Sequence, residues 1–342
     1  MRPWTPEYAG RIDERVIDSV ALRGNALGDD ASRPLWVYLP PGYDDAPDRR
    51  YPTVYFLQGY GDALPRWSRR PLFGRTTPEL VDAVFADDAV ARCIVVYVDA
   101  WTSLGGSQFV DSPGTGRYQT YLCEDVVGFV DANYRTLSSP KNRALQGHSS
   151  GGFGAIVGCM MRPDVFGAFA SHAGDVCYEH CYLPEIATSY RALRDRYERS
   201  YARFFEDLAR RGSLSCQDDF SLAMVYAVAA CFSAEEDGSV RLPFDPASGR
   251  INEDIWERWL AWDPIRMVSR YTDALRSLRA IWIDAGKSDE YCFDVGAEIL
   301  VEELRRVGVS DLAFELFDGG HGGMEQRYPL GLRYLAERIA PR

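Results

Sequence analysis

Ser149 stands in Gly147-His148-Ser149-Ser150-Gly151, a G-x-S-x-G spacing. A serine hydroxyl becomes a competent nucleophile only when a base takes its proton, usually a histidine oriented by a carboxylate. This spacing suits a nucleophile elbow, a tight strand-to-helix turn whose strained backbone demands small residues two positions either side of the serine. Such a turn lifts the hydroxyl clear of the sheet. It also aims the Ser150 N–H at the place where an oxyanion would form. The flanks fit the elbow: a short apolar run reaches Gln146, and an Ala/Gly/Val/Met-rich run of helical length begins just after Ser150.

The chain has only four histidines, His148, His172, His180 and His321. In a doubly wound sheet, reactive groups belong on loops at the carboxyl ends of strands. His321 meets that requirement in Asp318-Gly-Gly-His321-Gly-Gly, where the flanking glycines let an irregular loop project the imidazole. His148 is too close in sequence to turn back onto Ser149 and is expected to pack beside the elbow. The orienting carboxylate should follow the preceding strand, in Asp284-Ala-Gly-Lys-Ser-Asp289-Glu290. Asp284 lies at the strand end, where a structural role suits it. Asp289 sits farther into the loop and is preferred over Asp284 and Glu290 on loop placement. The order Ser149, Asp289, His321 is that of α/β-hydrolases.

The elements that must position these groups follow a β/α rhythm. Residues 16–22 and 35–39 read as an opening antiparallel pair, and residues 51–57 and 93–98 as buried strands. A helix is expected over residues 121–134, from the helical spacing of Val126, Val127, Val130 and Tyr134. The elbow strand and helix come next, then a strand over residues 165–170. From about 176 to 262 the character changes to helical segments, near 191–211, 219–232 and 252–260, without alternating strands. The rhythm returns with strands at 280–284 and 312–317 and helices at about 294–307 and 328–339. The expected architecture is therefore α/β: a mostly parallel central sheet with helices on both faces, residues 1–175 and 263–342 forming the core and residues 176–262 an inserted helical cap.

The bulk numbers exclude several classes. At 342 residues, 46% hydrophobic and 26% charged, the chain can bury a large core and is not disordered. A formal net charge of -12 argues against nucleic acid as a partner. No run of 18 apolar residues exists to span a bilayer, and residues 1–7 do not read as a secretory leader. Eight cysteines scattered over so long a chain read as reduced thiols, so a cytoplasmic location is expected. The segment after residue 170 carries His172, Asp175, Cys177, Tyr178, His180 and Cys181, but without a second pair at zinc-site spacing. Pocket lining by Asp175 and Tyr178, or anchoring of the cap, suits it better than a metal. Neither a metal nor a cofactor is expected. Trp67, Trp101, Phe109 and Tyr118 fall in loops on the elbow's side and are candidates for lining a substrate pocket.

These residues resemble a known family. The elbow Gly147-His-Ser-Ser-Gly151-Gly, the opening Leu39-Pro-Pro-Gly-Tyr43 before the strand ending in Gln58-Gly59, and the Gly105-Gly-Ser-Gln108 loop are similar to those of the esterase-D-like "putative esterase" family of α/β-hydrolases. That family includes feruloyl esterases, S-formylglutathione hydrolase, siderophore esterases and mycolyltransferases. The likeness covers residues 35–175 and 280–334. It implies an oxyanion hole formed by the Ser150 N–H and an N–H from the Gly59-Tyr60 turn. Relatives often carry His-Gly where this chain has Gln58-Gly59; a backbone donor survives that change, a side-chain role does not. The expected function is hydrolysis of a small-molecule carboxylic ester through an acyl-enzyme. The alternatives are transfer of the acyl group to an alcohol and, in a different class, a noncatalytic binding module. The acyl group, the alcohol and the oligomeric state are not specified by the sequence.

Overall fold

The computed structural model describes residues 8–341; the reading of residues 1–7 lies outside them. The central sheet has eight strands in the order β1-β2-β4-β3-β7-β8-β9-β10. They are β1 (Arg11–Asp18), β2 (Ser32–Leu39), β3 (Thr53–Leu57), β4 (Ile94–Val98), β7 (Arg143–His148), β8 (Ala168–His172), β9 (Ala280–Gly286) and β10 (Leu312–Phe317). A small hairpin of β5 (Asp111–Ser112) and β6 (Gly116–Arg117) stands apart. β2 runs antiparallel to β1 and β4, and the remaining pairs are parallel.

Alternation along the strands sorts side chains into two layers. Val54, Phe56, Val95 and Tyr97 pack with α1 (Thr77–Phe85) and α12 (Tyr328–Ile339). Tyr55, Leu57, Val96 and Val98 belong to the opposite layer, with α3 (Val127–Asn133), α4 (Ser150–Met161) and α11 (Phe293–Arg306). Each fully buried Val, Leu or Phe contributes roughly 1.5–3 kcal/mol, so strands apolar throughout are stable only when covered on both faces.

Several boundaries differ from the sequence reading, for local reasons. Residues 19–22 turn instead of extending, because Asp125 accepts from the Ser19 hydroxyl (2.5 Å) and the Ala21 N–H (3.0 Å). The strand expected at 165–170 starts only at Ala168, since the Val165 and Phe166 N–H groups bond back to Arg162. Helix α2 (Tyr118–Thr120) passes through a π-helical stretch, Tyr121–Val126, into α3. α1 was not foreseen, although Thr76 and Glu79 form a reciprocal capping box around Pro78, a signal present in the sequence.

Between β8 and β9 come α5 (Tyr178–Arg196), α6 (Tyr201–Arg211), α7 (Gln217–Phe232) and α8 (Glu253–Leu260), then the short α9 (Pro264–Met267) and α10 (Thr272–Ser277). The helix expected near 191–211 is two helices, broken where Glu198 and Arg199 adopt positive φ (49° and 62°). Asp219 at the start of α7 ties this region together. It pairs with Arg196 (2.8 Å) and Arg211 (2.9 Å) and accepts from the Ser215 N–H and hydroxyl. Burial alone would raise its pKa, but these donors hold it well below the usual carboxylate range. A depressed folded-state pKa gives stability that is present above the unfolded value, near 4, and lost as pH falls through the folded one. Asp219→Ala is therefore expected to cost about 2–3 kcal/mol at pH 7, measured by urea denaturation, and to flatten the loss of stability below pH 4. Equal acid sensitivity in both proteins would contradict this.

Candidate active site

β7 delivers its last residue, His148, to the carboxyl edge of the sheet, and α4 starts at Ser150. Between them Ser149 has φ 57° and ψ −126°, a strained conformation for a residue with a side chain. The turn is held by the Ser149 N–H donating to the carbonyl of His172 (3.0 Å). A Cβ on Gly147 would lie 2.3 Å from the Gly151 oxygen, and one on Gly151 would lie 2.3 Å from the Leu57 oxygen. Only glycine at these two positions lets the elbow close against β3.

The His321 Nε2 lies 3.1 Å from the Ser149 Oγ, and its Nδ1 lies 2.9 Å from the Asp289 Oδ2. The loops after β9 and β10 continue the pairing of their strands: Lys287 N–H donates to Phe317 (2.9 Å) and Ser288 N–H to Gly319 (2.9 Å). That pairing brings Asp289 opposite His321. The other Asp289 oxygen accepts the Tyr291 N–H (2.9 Å), which fixes the carboxylate's orientation. Glu290 serves differently, accepting the His321 backbone N–H (2.8 Å).

Asp284 is fully buried and fully engaged elsewhere. It meets His172 Nδ1 (2.7 Å), Trp282 Nε1 (2.9 Å) and Arg327 Nε (2.9 Å). Burial pushes its pKa up, yet His172, Trp282 and Arg327 bring it below the ordinary value. His148 packs beside the elbow, its ring 4.5 Å from that of His321. Burial holds its pKa well below the ordinary histidine value, so it is neutral and its Nε2–H donates to the His321 carbonyl (3.0 Å). It thus pins the loop that carries His321.

The Ser150 N–H is the first of α4, and the positive end of a helix favours developing negative charge. Gly59 packs on the elbow: a Cβ there would lie 3.6 Å from the Ser149 Cβ. Among the described residues, the Gly59 and Tyr60 N–H groups have no hydrogen-bond partner, which leaves them free to serve an oxyanion. The Gln58 amide folds back onto the Asp62 carbonyl and so shapes this turn.

A cavity of ≈ 220 Å³ opens at Ser149 and His321. Its apolar wall is Tyr60, Phe220, Met224, Tyr291 and Phe293; Asp175, Gln108 and Tyr182 supply polar groups. Of the six lining candidates, only Asp175 is there. Trp67 packs instead against Phe56, Tyr97 and Tyr328 on the opposite layer, where the larger apolar contact lies. Phe109 is wedged against Gly154 of α4, and Tyr118 is buried with its hydroxyl on the Trp101 carbonyl (3.3 Å). Trp101 is 38% exposed and does not line the cavity. Tyr178 is fully buried, stacked on Phe232 at 5.9 Å. Sequence reasoning missed Tyr182, Phe220 and Met224, because the helical periodicity of α5 and α7 looks the same for core and cavity. Tyr291 and Phe293 had a signal, closeness in sequence to Asp289, Tyr291 on the same loop and Phe293 at the start of α11.

Among the described residues, no three His, Cys, Asp or Glu side chains gather to hold a metal. Burial raises the Cys177 thiol to about 11, and Cys181 well above its ordinary value, so both are protonated at neutral pH. No described helix is long and apolar enough to cross a membrane.

Comparison with known proteins adds the following. A family model described as "Putative esterase" matches residues 25–332. An endo-1,4-beta-xylanase/feruloyl esterase of Xylanibacter ruminicola is 26% identical over 161 residues, 46% of this chain and 21% of that protein. The chain spans 21% and 39% of the lengths of two curated relatives it matches. A ferulic acid esterase structure superposes with a TM-score of 0.62 at 17% identity, covering 98% of this chain and 100% of that one. An S-formylglutathione hydrolase from Agrobacterium tumefaciens gives 0.56 at 16% identity, covering 98% of each chain. At such identity the likeness shows the shared α/β fold.

Proposed function

Because the chain belongs to the putative esterase family of α/β-hydrolases, we propose that it cleaves a small-molecule ester through an acyl-enzyme on Ser149. The observation that carries this reading is the unbroken chain from Ser149 Oγ to His321 Nε2 (3.1 Å) and from His321 Nδ1 to Asp289 (2.9 Å). His321 takes the hydroxyl proton as Ser149 attacks the ester carbonyl. Asp289 holds the ring with Nδ1 protonated and stabilises the imidazolium that forms. The tetrahedral oxyanion is met by the Ser150 N–H and by an N–H of the Gly59-Tyr60 turn, each worth about 3–4 kcal/mol to the barrier. His321 then gives its proton to the departing alcohol, and a water activated by the same ring releases the acid. Residues 176–262 act as the cap, with α5 and α7 contributing Tyr182, Phe220 and Met224 to the cavity wall.

A panel of p-nitrophenyl esters of graded chain length, with feruloyl esters alongside, tests this. Free acid is expected at full rate without any added alcohol, and a fluorophosphonate should block turnover by labelling Ser149. Acid release that depends on an added acceptor would instead make the protein an acyltransferase. Absence of both turnover and labelling would make it a binding module.

A further inference from the structure

One stretch of the chain runs against its acidic whole. Residues 63–78 carry Arg66, Arg69, Arg70 and Arg75 and no carboxylate, in a protein of formal net charge -12. Two of these arginines are engaged: Arg66 pairs with Asp62 (3.2 Å), and Arg70 with Glu79. Arg69 and Arg75 are exposed and form no ion pair among the described residues. Between them Pro71-Leu72-Phe73-Gly74 makes a tight turn, closed by the Gly74 N–H on the Pro71 carbonyl (3.1 Å). The Arg70 guanidinium donates to the Gly74 carbonyl (3.0 Å), so the tip is held from both ends. Phe73 takes the third position of the turn at φ 57°, a place that glycine usually fills. Leu72 is 89% exposed and Phe73 79%, the most exposed large hydrophobics among the described residues. A single exposed leucine is ordinary; an adjacent pair on an ordered, arginine-flanked tip is not. The stretch also borders the catalytic site. Arg66 lines the catalytic cavity, and Trp67 and Arg69 line a smaller one that shares Gly59, Arg66 and His148 with it.

We propose that residues 69–75 dock this protein on an anionic lipid surface, Leu72 and Phe73 entering the headgroup layer while Arg69 and Arg75 meet lipid phosphates. A convex tip of two side chains cannot supply the roughly 800 Å² per partner that a stable protein interface buries. A lipid layer yields around such a tip and covers it on every side. An aromatic ring at headgroup depth with basic residues beside it is how interfacial anchors hold. The two unpaired guanidiniums provide the complementary charge, and each can grip a phosphate through two hydrogen bonds. The acidic remainder of the molecule is repelled, so this face alone approaches, and salt weakens the attraction because its reach is about 10 Å at about 0.1 M. Docking turns the Arg66 side of the catalytic cavity toward the lipid, where esters held in the layer are concentrated. The proposal goes beyond ester cleavage and does not depend on it.

Co-sedimentation of the full chain with vesicles tests it, phosphatidylglycerol mixed with phosphatidylcholine against phosphatidylcholine alone. At low salt the wild-type protein is expected to bind the anionic vesicles about tenfold tighter or more, and raising the salt should remove most of that preference. Leu72→Asp combined with Phe73→Asp should weaken binding to the anionic vesicles by about tenfold or more, through lost apolar insertion and added like charge. Its thermal transition and its turnover of p-nitrophenyl acetate should stay those of the wild-type protein, which separates lost docking from lost folding. Arg69→Glu combined with Arg75→Glu is an independent check and should abolish the preference for the anionic vesicles. No binding by the wild-type protein, equal binding to both vesicles, or binding unchanged in both variants would overturn the proposal. So would a wild-type dimer that the Leu72/Phe73 variant converts to monomer without any vesicle binding, since the tip would then serve a second copy of the chain. Failure of the ester-cleavage reading looks different: no ester would be turned over, while vesicle binding would still be read.

Discussion

Ser149→Ala is expected to lower kcat by on the order of 10^4–10^6-fold, while the thermal transition and the circular dichroism spectrum stay those of the wild-type protein. The size follows from what the hydroxyl does: without it no acyl-enzyme forms, and only the oxyanion donors and the cavity remain to help water attack. The fold should persist because the elbow is held by backbone contacts, namely the Ser149 N–H on His172 and the approach of Gly151 to Leu57. Nothing in those contacts involves the hydroxyl. A second signature is non-additivity: Ser149→Ala combined with His321→Ala should be no slower than either change alone, since the two side chains act as one unit. Residual activity above about 1% in the folded Ser149→Ala protein would place the nucleophile elsewhere, given the losses such units show.

The carboxylates provide the second large effect. Asp289→Asn should reduce kcat by about 10^4-fold with little change in KM, because an amide at this position favours the wrong histidine tautomer while keeping the geometry. Asp284→Asn should behave in the opposite way. Its partners are His172, Trp282 and Arg327, beneath the site and away from His321, so the loss falls on the fold, at about 3 kcal/mol for breaking a buried pair. Denaturant titration and kcat measured on the same two proteins separate the roles. If Asp284→Asn lost the larger factor in kcat while unfolding at the wild-type midpoint, the orienting carboxylate would have to be reassigned. Because the His172 carbonyl receives the Ser149 N–H, Asp284→Asn is also expected to lower kcat modestly, by far less than Asp289→Asn.

Much of this protein was legible along the chain. The elbow's glycines are required by sterics within four residues, a Gly147 Cβ against the Gly151 oxygen, so the pattern announces itself locally. Strands covered on both faces announce themselves as apolar runs, and the β/α alternation leads to a parallel sheet. Caps are local as well, and the Thr76/Glu79 box of α1 was legible though overlooked. The ends of elements were harder, because a side chain far away can claim a backbone group, as Asp125 does in turning residues 19–22.

The preference for Asp289 over Asp284 could be argued from loop position, but the pairing of the two loops that sets Asp289 against His321 is a tertiary fact. The cavity wall belongs entirely to the tertiary structure. Trp67 and Tyr178 have the same composition signal as Tyr182 and Phe220, yet the first pair is buried in packing and the second lines the cavity. An aromatic ring gains from burial whichever neighbour covers it, so its type and spacing say that it will be covered and not by what. Where α5 and α7 come to rest over the sheet decides that. Their placement depends on many distant contacts at once, which no short stretch of residues contains.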